Sequence, residues 1–302
     1  MKIFVTGGTG VIGTRAVPAL VAAGHDVTAV ARGQAKAELV RSMGATPVAV
    51  NLFDPDAVKA AVHGHEAVAH LATNIPPMSK AARTKAWETN EQLRTEASGH
   101  LVDAALAAGA TRYVQESICF PYVDQGDDWI TEDSPLDHVG VFAGAAVAEA
   151  AASRFTAAGG TGVVLRFAQF HGPGSSHVEL FNSLLRKRVN PFVGPPDAYT
   201  SFVHADDAGS SVAVAMTLPA GTYNVVDDEP LTRLDAGRAA AAALGVKPPR
   251  TIPAAARATV LHAAKPMMRS LRVSNAKLKA ASGWAPIHPS MRGSWATSSP
   301  RS

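Results

Sequence analysis

With one cysteine, Cys119, among 302 residues, the chain cannot close an internal disulfide. A disulfide-stapled fold is excluded, and a lone thiol suits a reducing cytoplasm, the location expected here. Long apolar runs are also missing. No stretch reaches the roughly 18 residues a spanning helix needs, and the opening residues carry one lysine and then glycines instead of an apolar signal core. The expectation is a soluble, unprocessed chain with no membrane partner. Charge of one sign is scarce as well: the formal net charge is +3 and the basic residues form no dense run, so no nucleic-acid partner is expected. An apolar fraction of 47% excludes disorder and, at this length, allows a full α/β core plus a smaller second lobe. Only the polar stretch from Gly293 to Ser302 reads as a disordered tail.

What is present begins at once. Lys2 to Thr6 is a short β-prone apolar run, followed by Gly7-Gly8-Thr9-Gly10-Val11-Ile12-Gly13 and an alanine-rich segment to about Ala23. This reads as strand, tight turn and helix. Gly8, Gly10 and Gly13 satisfy G-x-G-x-x-G, and Gly7, Gly10 and Gly13 the related G-x-x-G-x-x-G. Glycines let the backbone approach a pyrophosphate, whose charge meets free N–H groups and the positive dipole at the helix start. The turn, with Gly7, Thr9, Gly10, Val11, Ile12 and Gly13, is therefore the expected seat of a dinucleotide.

Asp26 to Ala31 alternates like a buried strand and is followed by Arg32. An acid near this point would hold the ribose hydroxyls, whereas an arginine accommodates a 2′-phosphate. NADP(H) is expected ahead of NAD(H), with Arg15 as a second cation. Helices near 35–43 and 55–62, strands at 46–50 and 67–71, a long helix at 82–108, a strand at 112–117, a helix at 140–158 and a strand at 162–167 continue the alternation. Strands separated by helices at this spacing mean βαβ units and a parallel sheet covered on both faces.

Several later motifs join the glycine turn: His-Leu-Ala-Thr at 70–73, Asn90, the Arg112-Tyr-Val-Gln-Glu-Ser117 strand, residues 165–174, 202–209 and 222–232, and a closing segment at 274–284. Through their order and spacing the chain resembles the extended short-chain dehydrogenases/reductases, the NAD-dependent epimerase/dehydratase type, over nearly its whole length. The resemblance implies an α/β Rossmann-type doubly wound sheet. A dinucleotide-binding domain is expected over 1–168 and a substrate lobe over 169–302, interleaved with returns to the sheet near 202–226. It further implies that Leu71, Ala72 and Asn90 lie along the cofactor and that Gln169 faces substrate.

The resemblance also implies chemistry from a Tyr and a Lys four residues later on one helix, with a Ser or Thr at the end of the fifth strand. Here the residues four beyond Tyr113, Tyr122, Tyr199 and Tyr223 are Ser117, Gly126, Val203 and Asp227. Matching the helix puts Val141 and Ala145 at the dyad positions and Ile118 at the Ser/Thr position, all apolar. The candidate replacements are Glu116, a carboxylate at the carboxyl end of the strand; Ser117; Tyr122; and His138, beside Asp137. His171 is a second candidate for the substrate side. Each also has an ordinary structural reading: a paired Glu, a cofactor-side hydroxyl, a packed Tyr, a loop His.

His63-Gly-His65-Glu66 carries ligand-type residues without a third ligand at convincing spacing, and no metal is expected. The acidic stretch 124–137 is a solvated loop or a lid. Arg250, Arg257, Lys265, Arg269 and Arg272 form a basic helix face or, by the resemblance, hold a nucleotide-sugar diphosphate. The expected function is reduction or epimerisation of a small carbonyl or hydroxyl compound with a relocated proton donor. A non-redox cyclase, lyase or isomerase and a redox-sensing module are the alternatives. By analogy the segments 82–108 and 140–158 are candidate homodimer contacts.

Overall fold

The computed structural model describes residues 1–77, 80–81, 83–250 and 267–295. Arg257, Lys265, Ala82 and most of the expected tail, 296–302, lie outside the described residues. The chain runs β1 (Lys2–Thr6), α1 (Gly13–Ala22), β2 (Asp26–Val30), α2 (Gln34–Ser42), β3 (Thr46–Val48), α3 (Pro55–Val62), β4 (Ala67–His70), α4 (Glu88–Gln92), α5 (Ser98–Ala107), β5 (Arg112–Ile118), α6 (Ala143–Ala157) and β6 (Thr161–Phe167). It continues with β7 (Gln169–His171), α7 (Ser176–Arg186), β8 (Tyr199–Thr200), β9 (Phe202–His204), α8 (Ala205–Val214), β10 (Gly221–Val225), β11 (Leu231–Thr232) and α9 (Arg233–Ala243).

Seven parallel strands form one sheet in the order β10-β6-β5-β4-β1-β2-β3. Alternation along β1 divides the core: Ile3 and Val5 face α1 and α8 with Val17, Leu20 and Val212, whereas Phe4 faces α3, α5 and α6 with Val58, Leu101 and Phe155. Both faces are dry, so the strands read as apolar runs. Local signals set the helix starts. Asp54, for example, accepts the N–H groups of Asp56 and Ala57 at 3.1 Å, with Pro55 in the first turn of α3.

Two expectations change. The long helix of 82–108 runs without a gap over 84–107 but is not α throughout: a 3₁₀ turn (Thr84–Trp87), α4, a π-turn (Leu93–Ala97) and α5 follow one another. The cause is tertiary. His70 Nε2 lies 2.9 Å from the Leu93 carbonyl and so donates to it, while Ser98 Oγ bonds the Arg94 carbonyl at 2.8 Å, and the wider turn carries Arg94 into the interior. The strand at Phe202 does not join the main sheet; it pairs in parallel with β7, Gln169 opposite Phe202, and packs into a separate core with Phe181, Phe192, Met291 and Trp295. Among the described residues no helix is long and apolar enough to cross a membrane.

Candidate active site

The glycine turn leaves β1 at the carboxyl edge of the sheet, with the Gly10 N–H donating to the Gly7 carbonyl at 2.9 Å. A Cβ on Gly7, whose φ is +73°, would stand 2.5 Å from the Leu71 carbonyl group, and one on Gly13 would stand 2.2 Å from the Gly7 oxygen. No side chain fits at either position. The cradle keeps backbone N–H groups and the start of α1 open to a pyrophosphate, so the residues present fit a dinucleotide. Thr9, Gly10 and Val11 are at least partly exposed on this turn, and Ile12 and Gly13 are buried beneath it. Beside it, the Leu71 N–H bonds the Thr6 carbonyl, and Ala72 is partly exposed. Asn90 is buried and its Oδ1 accepts the Asn74 N–H at 3.0 Å, which fixes the loop after β4.

Arg32 is exposed where β2 ends, and no acid stands beside it in the sequence. Arg15 is held elsewhere: its Nε reaches Asp206 Oδ1 at 3.2 Å and its Nη2 donates to the Pro173 carbonyl at 2.7 Å. The second cation expected from Arg15 is therefore not aimed at the nucleotide.

The expected reaction end is the carboxyl end of β5. Ser117 donates to Glu149 Oε1 at 2.6 Å, and Arg166 clamps the same carboxylate through Nε at 2.8 Å and Nη2 at 2.6 Å. Arg166 Nη1 also donates to the Tyr122 hydroxyl, which in turn donates to Asn224 Oδ1 at 2.7 Å. Glu116 takes both of its bonds from Arg94 Nη2, at 2.8 and 3.0 Å, with both side chains buried. Burial raises the Glu116 pKa, opposed by Arg94. Burial likewise raises that of Tyr122 and holds the phenol neutral. Thus Glu116, Ser117 and Tyr122 are committed to partners, and none presents a free proton to a ligand. Val141 sits in the turn Gly140–Phe142 and Ala145 in α6, with Glu149 one turn further along the same face.

His138 differs: its Nε2 is buried and has no hydrogen-bond partner among the described residues. Gln169 is partly exposed in β7. His171, expected on the substrate side, is turned into the separate core of β9, fully buried and stacked on Trp295 with 6.1 Å between centroids. Burial, with His204, His288 and His177 nearby, lowers its pKa to about 3. The acidic loop is pinned rather than free to close. Asp137 pairs with Arg269, Asp124 Oδ2 accepts the Ser270 N–H at 2.9 Å, and the Ile130 N–H bonds the Arg272 carbonyl. The trio around His63 is likewise dispersed, with His65 against Phe4 and Glu66 bonded to the Lys2 N–H.

Sequence reasoning missed Arg94, Glu149, Arg166 and Asn224. A signal existed for one of them: Arg166 interrupts Val-Val-Leu-Arg-Phe, an otherwise apolar buried strand, and a charge in such a place demands a partner.

A family model for the NAD dependent epimerase/dehydratase family matches residues 3–225. A "3-diazoavenalumate denitrifying reductase" from Streptomyces sp is 34% identical over 97% of this chain and 98% of its own length. A 3-beta-hydroxysteroid dehydrogenase from Mycolicibacterium neoaurum is 26% identical over 82% of this chain and 71% of its own. Among solved structures, a UDP-glucose 4-epimerase from Thermus thermophilus in complex with NAD is 25% identical, with a TM-score of 0.76 over 98% of this chain and 97% of that one.

Proposed function

Because the chain belongs to the NAD dependent epimerase/dehydratase family and is an NAD(P)-dependent enzyme of the oxidoreductase or epimerase type, we propose that it is an NADPH-dependent reductase whose substrate accepts hydride without a proton from the protein. The observation that supports this reading is the commitment of Glu116, Ser117 and Tyr122 to buried partners beside an apolar Val141 and Ala145. A carbonyl acceptor becomes an alkoxide and calls for a general acid. A cationic acceptor that expels a neutral leaving group calls for none. The Streptomyces relative is named for the denitrifying reduction of a diazo compound, and an arenediazonium compound, which hydride converts to the neutral arene, is the substrate class we propose.

When bound, reduced nicotinamide supplies hydride, which at a diazonium carbon forms the C–H bond while the C–N bond breaks and dinitrogen leaves with its electron pair. The protein's residues do the rest. The turn from Gly7 to Gly13 holds the pyrophosphate, Arg32 the 2′-phosphate that distinguishes NADPH, and Leu71 and Ala72 border the path to the reaction end. Phe120, stacked on Phe142 at 5.7 Å, and Val141 keep water from the head of α6.

One observation favours a second reading, reduction of a small carbonyl compound: the unpartnered Nε2 of His138 is a relocated donor. The experiment follows NADPH oxidation, against an enzyme-free blank, with a hydroxybenzenediazonium salt and with an aromatic ketone. Faster turnover of the diazonium salt with release of dinitrogen supports the first reading. Turnover of the ketone alone, lost in His138→Ala, overturns it. The assembly we propose is a homodimer through α5 and α6, whose outer side leaves Val147 exposed; sedimentation of the purified protein checks it.

A further inference from the structure

We propose that His204, Asp206 and His288 bind one divalent transition-metal ion of the zinc class, at the joint between α8 and the closing segment of the chain. Asp206 Oδ2 lies 3.5 Å from His204 Nδ1 and 3.8 Å from His288 Nε2. A ligand atom from each of these side chains lies within 4.8 Å of the others. Ligands at zinc distances of about 2.0–2.2 Å in a tetrahedron stand about 3.4 Å apart, so a small closure brings the three onto one ion.

The three side chains converge without a good hydrogen bond between any two of them. Both Asp206 contacts are too long to be good hydrogen bonds. The two imidazole rings lie 3.8 Å apart between centroids, an approach that offers no bond, and the buried His204 Nε2 has no hydrogen-bond partner among the described residues. Their positions are nevertheless built. His204 ends β9 and caps α8, its Nδ1 accepting the Asp206 N–H at 3.2 Å, a long bond that an ion at this nitrogen would replace. Asp207 holds the other partner in place: its carboxylate accepts the Ile287 N–H at 2.6 Å and the His288 N–H at 3.0 Å. Arg15 occupies Asp206 Oδ1 and leaves Oδ2 to face the two rings. His171 packs behind His204, with ring centroids 5.0 Å apart.

Two imidazoles and one carboxylate, without sulfur, are a zinc-type donor set. Asp206 is 49% exposed and His288 24%, so water completes the coordination on the open side. The ion would cross-link the start of α8 to residues 287–288, next to Arg15 in the first turn of α1. It is a staple between the start of α8 and the closing segment of the chain.

The test uses the untagged full-length protein, stripped with chelator and titrated with Co²⁺, then with competing Zn²⁺. The expected result is one saturable equivalent with a visible d–d band, displaced by Zn²⁺. His288→Ala and Asp206→Asn should each weaken binding by at least about tenfold, and His63→Ala should leave it intact. Should His288→Ala not fold, the half-exposed Asp206→Asn decides alone. No saturable binding at micromolar Co²⁺, or binding that survives Asp206→Asn, overturns the assignment.

Discussion

At the nucleotide end, a side chain on Gly13 would strike the backbone of its own turn and one on Gly7 the backbone of Leu71 and Ala72 just after β4, so backbone packed on backbone shapes the cradle. At the reaction end, Glu149 reaches Ser117 across 32 residues of sequence, and Tyr122 reaches Asn224 across 102. Backbone shape holds the first region; side-chain partners hold the second. The difference teaches that the cradle depends on glycine at two positions, whereas the cluster around Glu149 depends on side chains that the fold brings together.

Five experiments break or sharpen that contrast. The largest effect belongs to the buried pair: Arg94→Leu leaves Glu116 without its partner and should cost about 3–5 kcal/mol in denaturant unfolding, much of it recovered in the double variant with Glu116→Leu. Next is a pH effect at His70. Burial lowers its pKa from 6.5 to about 4, with Arg94 adding to this and the Leu93 bond opposing it. The unfolded chain therefore takes up the proton first; stability is full above pH 6.5 and falls by roughly 3 kcal/mol as the pH drops toward 4. His70→Gln should flatten that part of the stability profile.

At the nucleotide end, Gly13→Ala drives a methyl into the Gly7 carbonyl and should weaken NADPH binding about a hundredfold in a fluorescence titration. Arg32→Ala should weaken NADPH by about tenfold and leave NADH unchanged, the scale of one exposed charge-assisted contact. The smallest effect is the most pointed. Tyr122→Phe should keep turnover within about twofold of the parent, while unfolding shows a loss of about 1–2 kcal/mol from the bonds to Asn224 and Arg166.

Much of the fold is legible in the sequence because it rests on local rules. Asp54 and Pro55 mark the start of the Pro55–Val62 helix, and the alternation of strands and helices announces the parallel sheet. The π-turn within the 82–108 helix is not legible, since the Leu93 carbonyl there bonds His70 from another element. Phe202 reads as one more apolar strand, and nothing nearby says that its partner is β7. For the site, the glycine turn is readable, and so is the apolar character of Val141, Ala145 and Ile118. That His171 faces Trp295 and that Glu116 faces Arg94 are contacts between residues far apart in the chain, which no spacing encodes.

The central claim is that hydride transfer here proceeds without a proton from the protein. It is tested most directly by turnover of a hydroxybenzenediazonium salt with NADPH dideuterated at C4 of the nicotinamide, in ordinary water. The account predicts deuterium at the carbon that loses nitrogen, unchanged in Ser117→Ala and Tyr122→Phe. Hydrogen from solvent at that carbon, or loss of turnover by about a hundredfold in either variant, would contradict it.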